Sequence, residues 1–159
     1  MIKIKKTITI LSFIILLISI INIINLVLNS GGGLNFTCVS VLRTQDFTND
    51  FISNETVTLV MKPDRSGYIS FSGEISYKNK TTNFSRDIRY NYEKESGELY
   101  RFYDIITVKH PRDNTPDELV DSIFFSTSHD KARHMTASKI QNAYIIGNLH
   151  SPVFMCVVK

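Results

Sequence analysis

Residues 68–92 read YISFSGEISYKNKTTNFSRDIRYNY, and apolar and polar side chains alternate on both sides of a central turn. The apolar side chains that share one parity are Ile69, Phe71, Ile75 and Tyr77 before the turn, and Phe84, Ile88, Tyr90 and Tyr92 after it. A period of two is typical of a β-strand with one buried face. Lys78-Asn79-Lys80 has the composition of a turn. The stretch therefore predicts an antiparallel hairpin.

Segments of similar character lie on both sides of this hairpin. Strands are predicted at Phe36–Leu42, Thr56–Met61, Glu98–Val108 and Val153–Val158, and extended structure at Ala132–Ile146. Turn signals separate them at residues 63–67 and 94–97, where Gly97 suits a left-handed loop position. Thr115 is a residue type that caps helix N-termini, and it is followed by a proline and two acidic residues. This pattern predicts a short helix from Pro116 to about Phe124.

These elements define the expected fold class, which is mainly β. About seven or eight antiparallel strands with one short helix predict a lipocalin-like barrel or a strongly curved sheet. An open sheet whose edge is completed by another protein would show the same sequence pattern.

The N-terminal segment differs in character from the rest of the chain. From Thr7 to Leu28 there are 22 residues without a charge. At about 1.5 Å per residue, this length crosses a hydrocarbon core of about 30 Å. A cleavable signal sequence is the alternative, but its only small-residue site, Gly31-Gly32-Gly33, follows a stretch that is already long enough to span. We therefore expect an uncleaved transmembrane helix at residues 7–29.

The positive charge of the chain is confined to its start. The formal net charge of +3 is carried by Lys3, Lys5 and Lys6, and acidic and basic residues balance in the remainder. The chain therefore has no broad field that would attract nucleic acid. Lysines before the helix place the N-terminus in the cytoplasm. The expected organisation is a cytoplasmic tip at residues 1–6, the helix, a linker at 30–34 and an outer β domain at 35–159.

Polar residues within the predicted span lie on one side of the helix. Ser19, Asn22 and Asn25 fall on a single stripe, together with Asn29. Side-chain amides in a membrane prefer to hydrogen-bond to another helix, so the stripe predicts a contact with a partner helix. The alternative is that Asn25 and Asn29 sit at the outer interface of the membrane, where polar groups cost little.

The chain has two cysteines, Cys38 and Cys156, one near each end of the β domain. Outside the cytoplasm an even number of cysteines favours a disulfide bond, which would tie together the first and last strands. Two unpaired buried thiols are the alternative interpretation.

Catalytic and metal-binding motifs are absent from the sequence, and we expect neither enzymatic activity nor a cofactor. His129, Asp130 and His134 are close in sequence, but their spacing matches no familiar zinc pattern. His110 and His134 lie at predicted strand ends and are the candidates for sensing pH. The alternative is that they are exposed histidines without a role.

Aromatic residues are concentrated in the central strands. The candidates for lining a cavity or an interface are Phe71, Tyr77, Tyr90, Tyr92 and Phe102. Packing of these rings in an ordinary core is the alternative. A cavity would suit a small apolar ligand.

Two terminal segments carry a family resemblance. They are Asn35-Phe36-Thr37-Cys38-Val39 near the start, and Ala143-Tyr144-Ile145-Ile146 with Pro152-Val153-Phe154-Met155-Cys156 near the end. With the basic tip, the single span and the β-rich domain, the chain resembles the FidL-like proteins, including PsaF and MyfF, and more distantly VtrC and ToxS.

This resemblance implies a partner and a location. Such proteins lie in the bacterial inner membrane, with a periplasmic β domain, and form a heterodimer with a ToxR-like single-span regulator that binds DNA in the cytoplasm. The resemblance further implies that the accessory protein stabilises the regulator, completes a lipocalin-like structure that senses bile salts or acid, and controls virulence or fimbrial genes. The alternatives are a stand-alone, membrane-anchored periplasmic binder of a small apolar ligand and an anchored envelope enzyme.

Overall fold

The computed structural model describes residues 11–24, 33–48, 50–123 and 132–159. The chain divides into two units, Met1–Gly32 and Gly33–Lys159. In the first unit, residues 11–24 form helix α1. No helix in the described part of the chain is both long and apolar enough to cross a membrane. The predicted cytoplasmic tip at 1–6, both ends of the predicted span (7–10 and 25–29), and residues 30–32 of the predicted linker lie outside the described residues.

The second unit is an antiparallel β-barrel of eight strands, which follow one another in chain order around the barrel. One short helix, α2, lies between the fifth and sixth strands. The elements are β1 Phe36–Asp46, β2 Phe51–Met61, β3 Ser66–Tyr77, β4 Lys80–Ser96, β5 Leu99–Lys109, α2 Asp117–Ile123, β6 Arg133–Ile140, β7 Ala143–Gly147 and β8 Pro152–Val158. The expected fold class, an antiparallel barrel with one short helix, is confirmed.

The hairpin predicted from residues 68–92 is formed by β3 and β4. Tyr77 pairs with Lys80 across a two-residue loop. Both loop residues, Lys78 and Asn79, have positive φ angles, 48° and 62°. A loop with two left-handed residues matches the right-handed twist of the strands that it joins. Gly97 adopts the expected left-handed conformation at the next hairpin, with φ 51°.

The bounds of several strands differ from the sequence prediction. β2 begins at Phe51 and not at Thr56, and β4 continues beyond Tyr92 to Ser96. β1 continues beyond Leu42 to Asp46, because its polar residues pair with the first half of β2. The extended segment expected from Ala132 to Ile146 consists of two strands, β6 and β7, and Gln141 in the connecting turn has a φ angle of 52°. The predicted helix is present as α2, whereas Phe124 lies outside the described residues.

A bulge in β5 changes which parity of this strand faces the core. Arg89 pairs with Ile106 and Asn91 pairs with Tyr103, so β5 has one extra residue between these pairs. Asp104 is one of the two bulge residues, and its φ angle is 51°. An extra residue reverses the parity of the strand. Phe102 is therefore buried before the bulge, and Ile105 packs against the core after it.

Candidate functional site

The barrel is closed by a short contact between its first and last strands. β1 pairs with β2 over its whole length, from Phe36 opposite Met61 to Asp46 opposite Phe51. With β8, in contrast, β1 forms only two pairs, Cys38 with Val158 and Val39 with Val157. Among the described residues, the stretch of β1 from Ser40 to Gln45 has no strand partner on the β8 side. We call this edge, together with the facing edge of β8 from Pro152 to Met155, the open seam.

The backbone of β1 points alternate hydrogen-bonding groups into the open seam. The amide of Lys159 donates to the carbonyl of Thr37 at 3.1 Å, so odd-numbered residues of β1 face β8. By the alternation of a β-strand, Val41, Arg43 and Gln45 direct their N–H and C=O groups to the same side. Their side chains are exposed on the outer face, and Val41 is 80% exposed.

The opposite edge of the seam is also apolar. Val158 donates its amide to the carbonyl of Asn142 at 2.8 Å, so even-numbered residues of β8 face β7. Met155 therefore directs its backbone groups into the seam, whereas β8 has a bulge at Val153, between the residues that pair with Ile146 and Gly147. The side chains of Val153 and Met155 are exposed, at 60% and 58%. Exposed apolar side chains beside unpaired backbone groups are typical of an edge that receives another strand.

A disulfide bond lies at the closed end of the seam. Cys38 on β1 and Cys156 on β8 are bonded, with 5.3 Å between their Cα atoms, and both residues are completely buried. The predicted pairing is confirmed, and the alternative of two free thiols is wrong.

A charged network fixes the segment between β5 and α2. The guanidinium of Arg86, on the inner side of β4, contacts Asp113 at 2.9 Å and Asp117 at 2.7 Å. Arg86 also donates to the carbonyl of Thr115 at 2.9 Å. Lys109 donates to Asp117, and this bond, together with the nearby Arg86, lowers the pKa of the Asp117 carboxyl. The network holds the start of α2 against the barrel, where Val120 enters the core.

Four of the five predicted cavity or interface aromatics lie in the buried core. Tyr90 meets Phe102 edge to face, with ring centroids 4.5 Å apart, and Phe71 contacts Phe84 at 5.6 Å. Tyr92 packs near Phe102 at 6.1 Å. The fifth, Tyr77, is half-buried below the ammonium group of Lys78. The contacts among these rings are those of a packed core.

The tyrosine hydroxyls in this core have defined partners. Tyr90 donates to the carbonyl of Val60 at 3.2 Å, and Tyr92 donates to the carbonyls of Lys62 at 2.7 Å and Leu34 at 3.1 Å. Burial raises the pKa of Tyr90 strongly and raises the pKa of Tyr92 to about 12. Both hydroxyls therefore stay protonated well above neutral pH and remain hydrogen-bond donors.

The two candidate pH-sensing histidines form separate surface contacts. His110 Nε2 lies 3.2 Å from the carboxylate of Asp87, and His134 Nε2 lies 3.1 Å from that of Glu95. Their role in sensing stays a prediction. The described part of the chain contains no group of three or more residues able to hold a metal ion, and His129 and Asp130 lie outside it.

The predicted partner contacts of the N-terminal helix are described only in part. Ser19 and Asn22 lie on α1 and are exposed, whereas Asn25 lies outside the described residues. Their contact with a partner helix stays a prediction.

Sequence reasoning missed two buried carboxylates, Asp113 in the charged network and Glu55. Glu55 lies on the inner face of β2 and is 2% exposed. The parity of Glu55 was a signal, because this residue continues the odd-numbered row of β2 that also contains Val57, Leu59 and Met61.

A known protein family matches part of the β domain. The family model described as "FidL-like putative membrane protein" matches residues 73–156, just over half of the chain. The matched region extends from β3 into β8 and includes Cys156 and the exposed edge of β8. No curated protein sequence matches the chain. The chain belongs to the family of FidL-like membrane proteins.

Proposed function

We propose that this chain is an accessory protein of the bacterial inner membrane, with its N-terminus in the cytoplasm and its β domain in the periplasm. In this proposal the β domain forms a heterodimer with the periplasmic domain of a ToxR-like transmembrane regulator and stabilises it. The regulator supplies the contact with DNA. The output is control of virulence or fimbrial genes.

The observation that carries this proposal is the open seam. Val41, Arg43 and Gln45 offer backbone donors and acceptors in a row, and no described residue pairs with them on that side. A strand from another protein that docks here gains main-chain hydrogen bonds from β1 and apolar contacts from side chains such as Val41 and Met155. Edges of this kind in isolated proteins are usually short, charged or covered.

Pairing at the seam would act by shifting populations. A regulator domain that binds this edge in its folded form is stabilised by mass action and is protected from proteolysis. A bile salt or a proton would change the output only through different affinities for the paired and unpaired states. The signal therefore requires no catalytic chemistry in the barrel.

A proline at the open edge of β1 tests the pairing directly. Arg43→Pro removes an N–H group that faces the seam, and the pairs between β1 and β2 do not use this group. We expect the full-length Arg43→Pro chain to lose co-purification with a co-expressed candidate ToxR-like regulator, and promoter output to fall. Arg43→Thr is the matched control, because it removes the same charge and keeps the N–H group.

Two outcomes decide the proposal. Loss of pairing in Arg43→Pro, with retention in Arg43→Thr and equal thermal stability of both variants, supports strand addition at this edge. Unchanged co-purification and promoter output in Arg43→Pro would contradict strand addition at this edge. Unchanged regulator level and promoter output after deletion of the whole chain would contradict the accessory function.

A further inference from the structure

Glu55 is a buried carboxylate for which the described residues provide no partner. It lies on the inner row of β2, between Ser53 and Val57, and is 2% exposed. Neither carboxylate oxygen has a hydrogen-bond partner of acceptable geometry, and neither does the buried hydroxyl of Ser53. A buried polar group without a partner costs free energy, and a buried charge costs considerably more.

The strands on both sides of Glu55 offer no charge to compensate it. On β1 its register partner is Leu42, and on β3 its register partner is Gly73. The diagonal neighbours on these strands are also uncharged; they are Ser40, Thr44, Phe71 and Ile75. Gly73 has no side chain, and its Cα packs directly against the backbone of Asn54 and Glu55.

Three titratable groups that lie on the inner rows of these strands and of β4 contact residues other than Glu55. Asp46, at the end of β1, accepts two bonds from Thr48. Tyr77, at the end of β3, lies below the ammonium group of Lys78. Arg86, on the inner row of β4, is bound by two aspartates of the segment before and within α2.

Desolvation therefore decides the ionisation of Glu55. Burial raises the pKa of its carboxyl above the ordinary value for glutamate, and the nearby Ser53 hydroxyl opposes this rise only in part. In the unfolded chain the same carboxyl is hydrated and has its ordinary pKa.

We propose that the carboxylate of Glu55, which is buried on the inner face of β2 without a hydrogen-bond partner, is a proton-binding site in the barrel wall. Burial makes Glu55 bind this proton more tightly in the folded barrel than in the unfolded chain, so the contribution of Glu55 to stability increases as the pH falls. This role is independent of the predicted histidines and of any partner protein, so its test can fail while the proposed function stands, and the reverse also holds.

The sign of the effect follows from linkage. A carboxyl whose pKa is higher in the folded state binds more protons there, so its contribution to stability grows as the pH falls towards the unfolded pKa. The free-energy cost of burying the ionised carboxylate of Glu55 is fully present at pH values above its pKa in the folded state. Each pH unit that separates the two pKa values corresponds to a tenfold change in the unfolding equilibrium constant.

The test compares the full-length wild-type chain with Glu55→Gln in detergent. Urea unfolding is followed by tyrosine fluorescence at a series of pH values between about 5 and 8. We expect Glu55→Gln to have a higher unfolding midpoint than the wild type at pH 8, and this difference to shrink as the pH falls. Glu74→Gln is the matched control, because it makes the same chemical change at an exposed position on the adjacent strand.

A second experiment measures the protonation of Glu55 directly, by nuclear magnetic resonance. With ¹³C-labelled glutamate side chains, we expect one carboxyl resonance of the wild type to titrate above the ordinary range and to be missing in Glu55→Gln. If that variant fails to fold, Glu55→Met serves in its place. Parallel pH dependence of unfolding in the wild type and Glu55→Gln, or titration of every glutamate in its ordinary range, would overturn the proposal.

Discussion

Cys38 and Cys156 are bonded across the seam at which β1 and β8 share only two residue pairs, with their Cα atoms 5.3 Å apart. The covalent bond thus lies where the sheet has fewest hydrogen bonds. It also lies at the closed end of the edge that we propose for partner binding. The bond joins β1 to β8 covalently beside the stretch of β1 that pairs only with β2.

Removal of this disulfide bond should destabilise the barrel substantially. The two cysteines are 118 residues apart in sequence. In the chain-entropy model, closure of such a loop contributes about 4–5 kcal/mol to the free energy of unfolding. We expect Cys38→Ala/Cys156→Ala to lose most of this amount in urea unfolding. A loss below about 1 kcal/mol would show that the β1–β8 contact closes the barrel without covalent help.

Two aspartates that bind the same arginine should differ in their importance. The side chain of Asp113 is completely buried, whereas that of Asp117 is 64% exposed. Breaking a buried ion pair costs about 3–5 kcal/mol, and an exposed pair contributes about 0–1 kcal/mol. We expect Asp113→Asn to lower the free energy of unfolding by about 3 kcal/mol and Asp117→Asn by less than about 1 kcal/mol. Equal losses in urea unfolding would contradict this assignment.

The hydroxyl of Tyr92 should make the barrel sensitive to alkali. Its folded pKa is raised to about 12, above the ordinary value of 10.0. The folded state therefore retains this proton while the unfolded chain loses it, and stability should fall as the pH rises from about 10 to 12. Tyr92→Phe should cost about 1 kcal/mol at neutral pH, because two carbonyls lose a donor.

Thermal unfolding of Tyr92→Phe and the wild type at alkaline pH can contradict this assignment to Tyr92. The variant Tyr92→Phe should show a weaker loss of stability than the wild type between these pH values, when both are followed by thermal unfolding. An identical loss in the two proteins would assign the alkaline sensitivity to other groups, such as Tyr90.

Two glycines should respond differently to alanine. Gly97 has a positive φ angle in open space, so Gly97→Ala should cost about 1 kcal/mol through backbone strain. At Gly73 a Cβ atom would overlap the backbone of Asn54 on the adjacent strand. We expect Gly73→Ala to cost more than Gly97→Ala in urea unfolding, because strands β2 and β3 must separate. A reversed order would contradict the close packing of these strands.

The sequence predicted most of the fold because apolar residues alternate clearly in the central strands. The hairpin of β3 and β4, the turn at Gly97 and helix α2 were all predicted from local signals. The second half of β1 was not, because Arg43 to Asp46 carry no apolar alternation, and only their pairing with β2 holds them extended. The division between β6 and β7 was missed because Gln141 is not a typical turn residue.

The candidate site was less visible in the sequence. The disulfide was predictable from cysteine count and compartment, but the open seam depends on how far β8 follows β1, which is a property of the closed barrel. Glu55 could have been found from its parity with Val57. The isolation of its carboxylate depends on neighbours from two other strands, and no local pattern contains that information.

The bond between Cys38 and Cys156 makes the barrel a covalent ring with a short tail on each side. A mechanical pull applied between residue 33 and residue 159 would load the sulfur–sulfur bond and leave the strands between the two cysteines without tension. Likewise, a single proteolytic cut in any loop between them would release no fragment. The fold is thus held together on the side where its hydrogen-bonded sheet is left open.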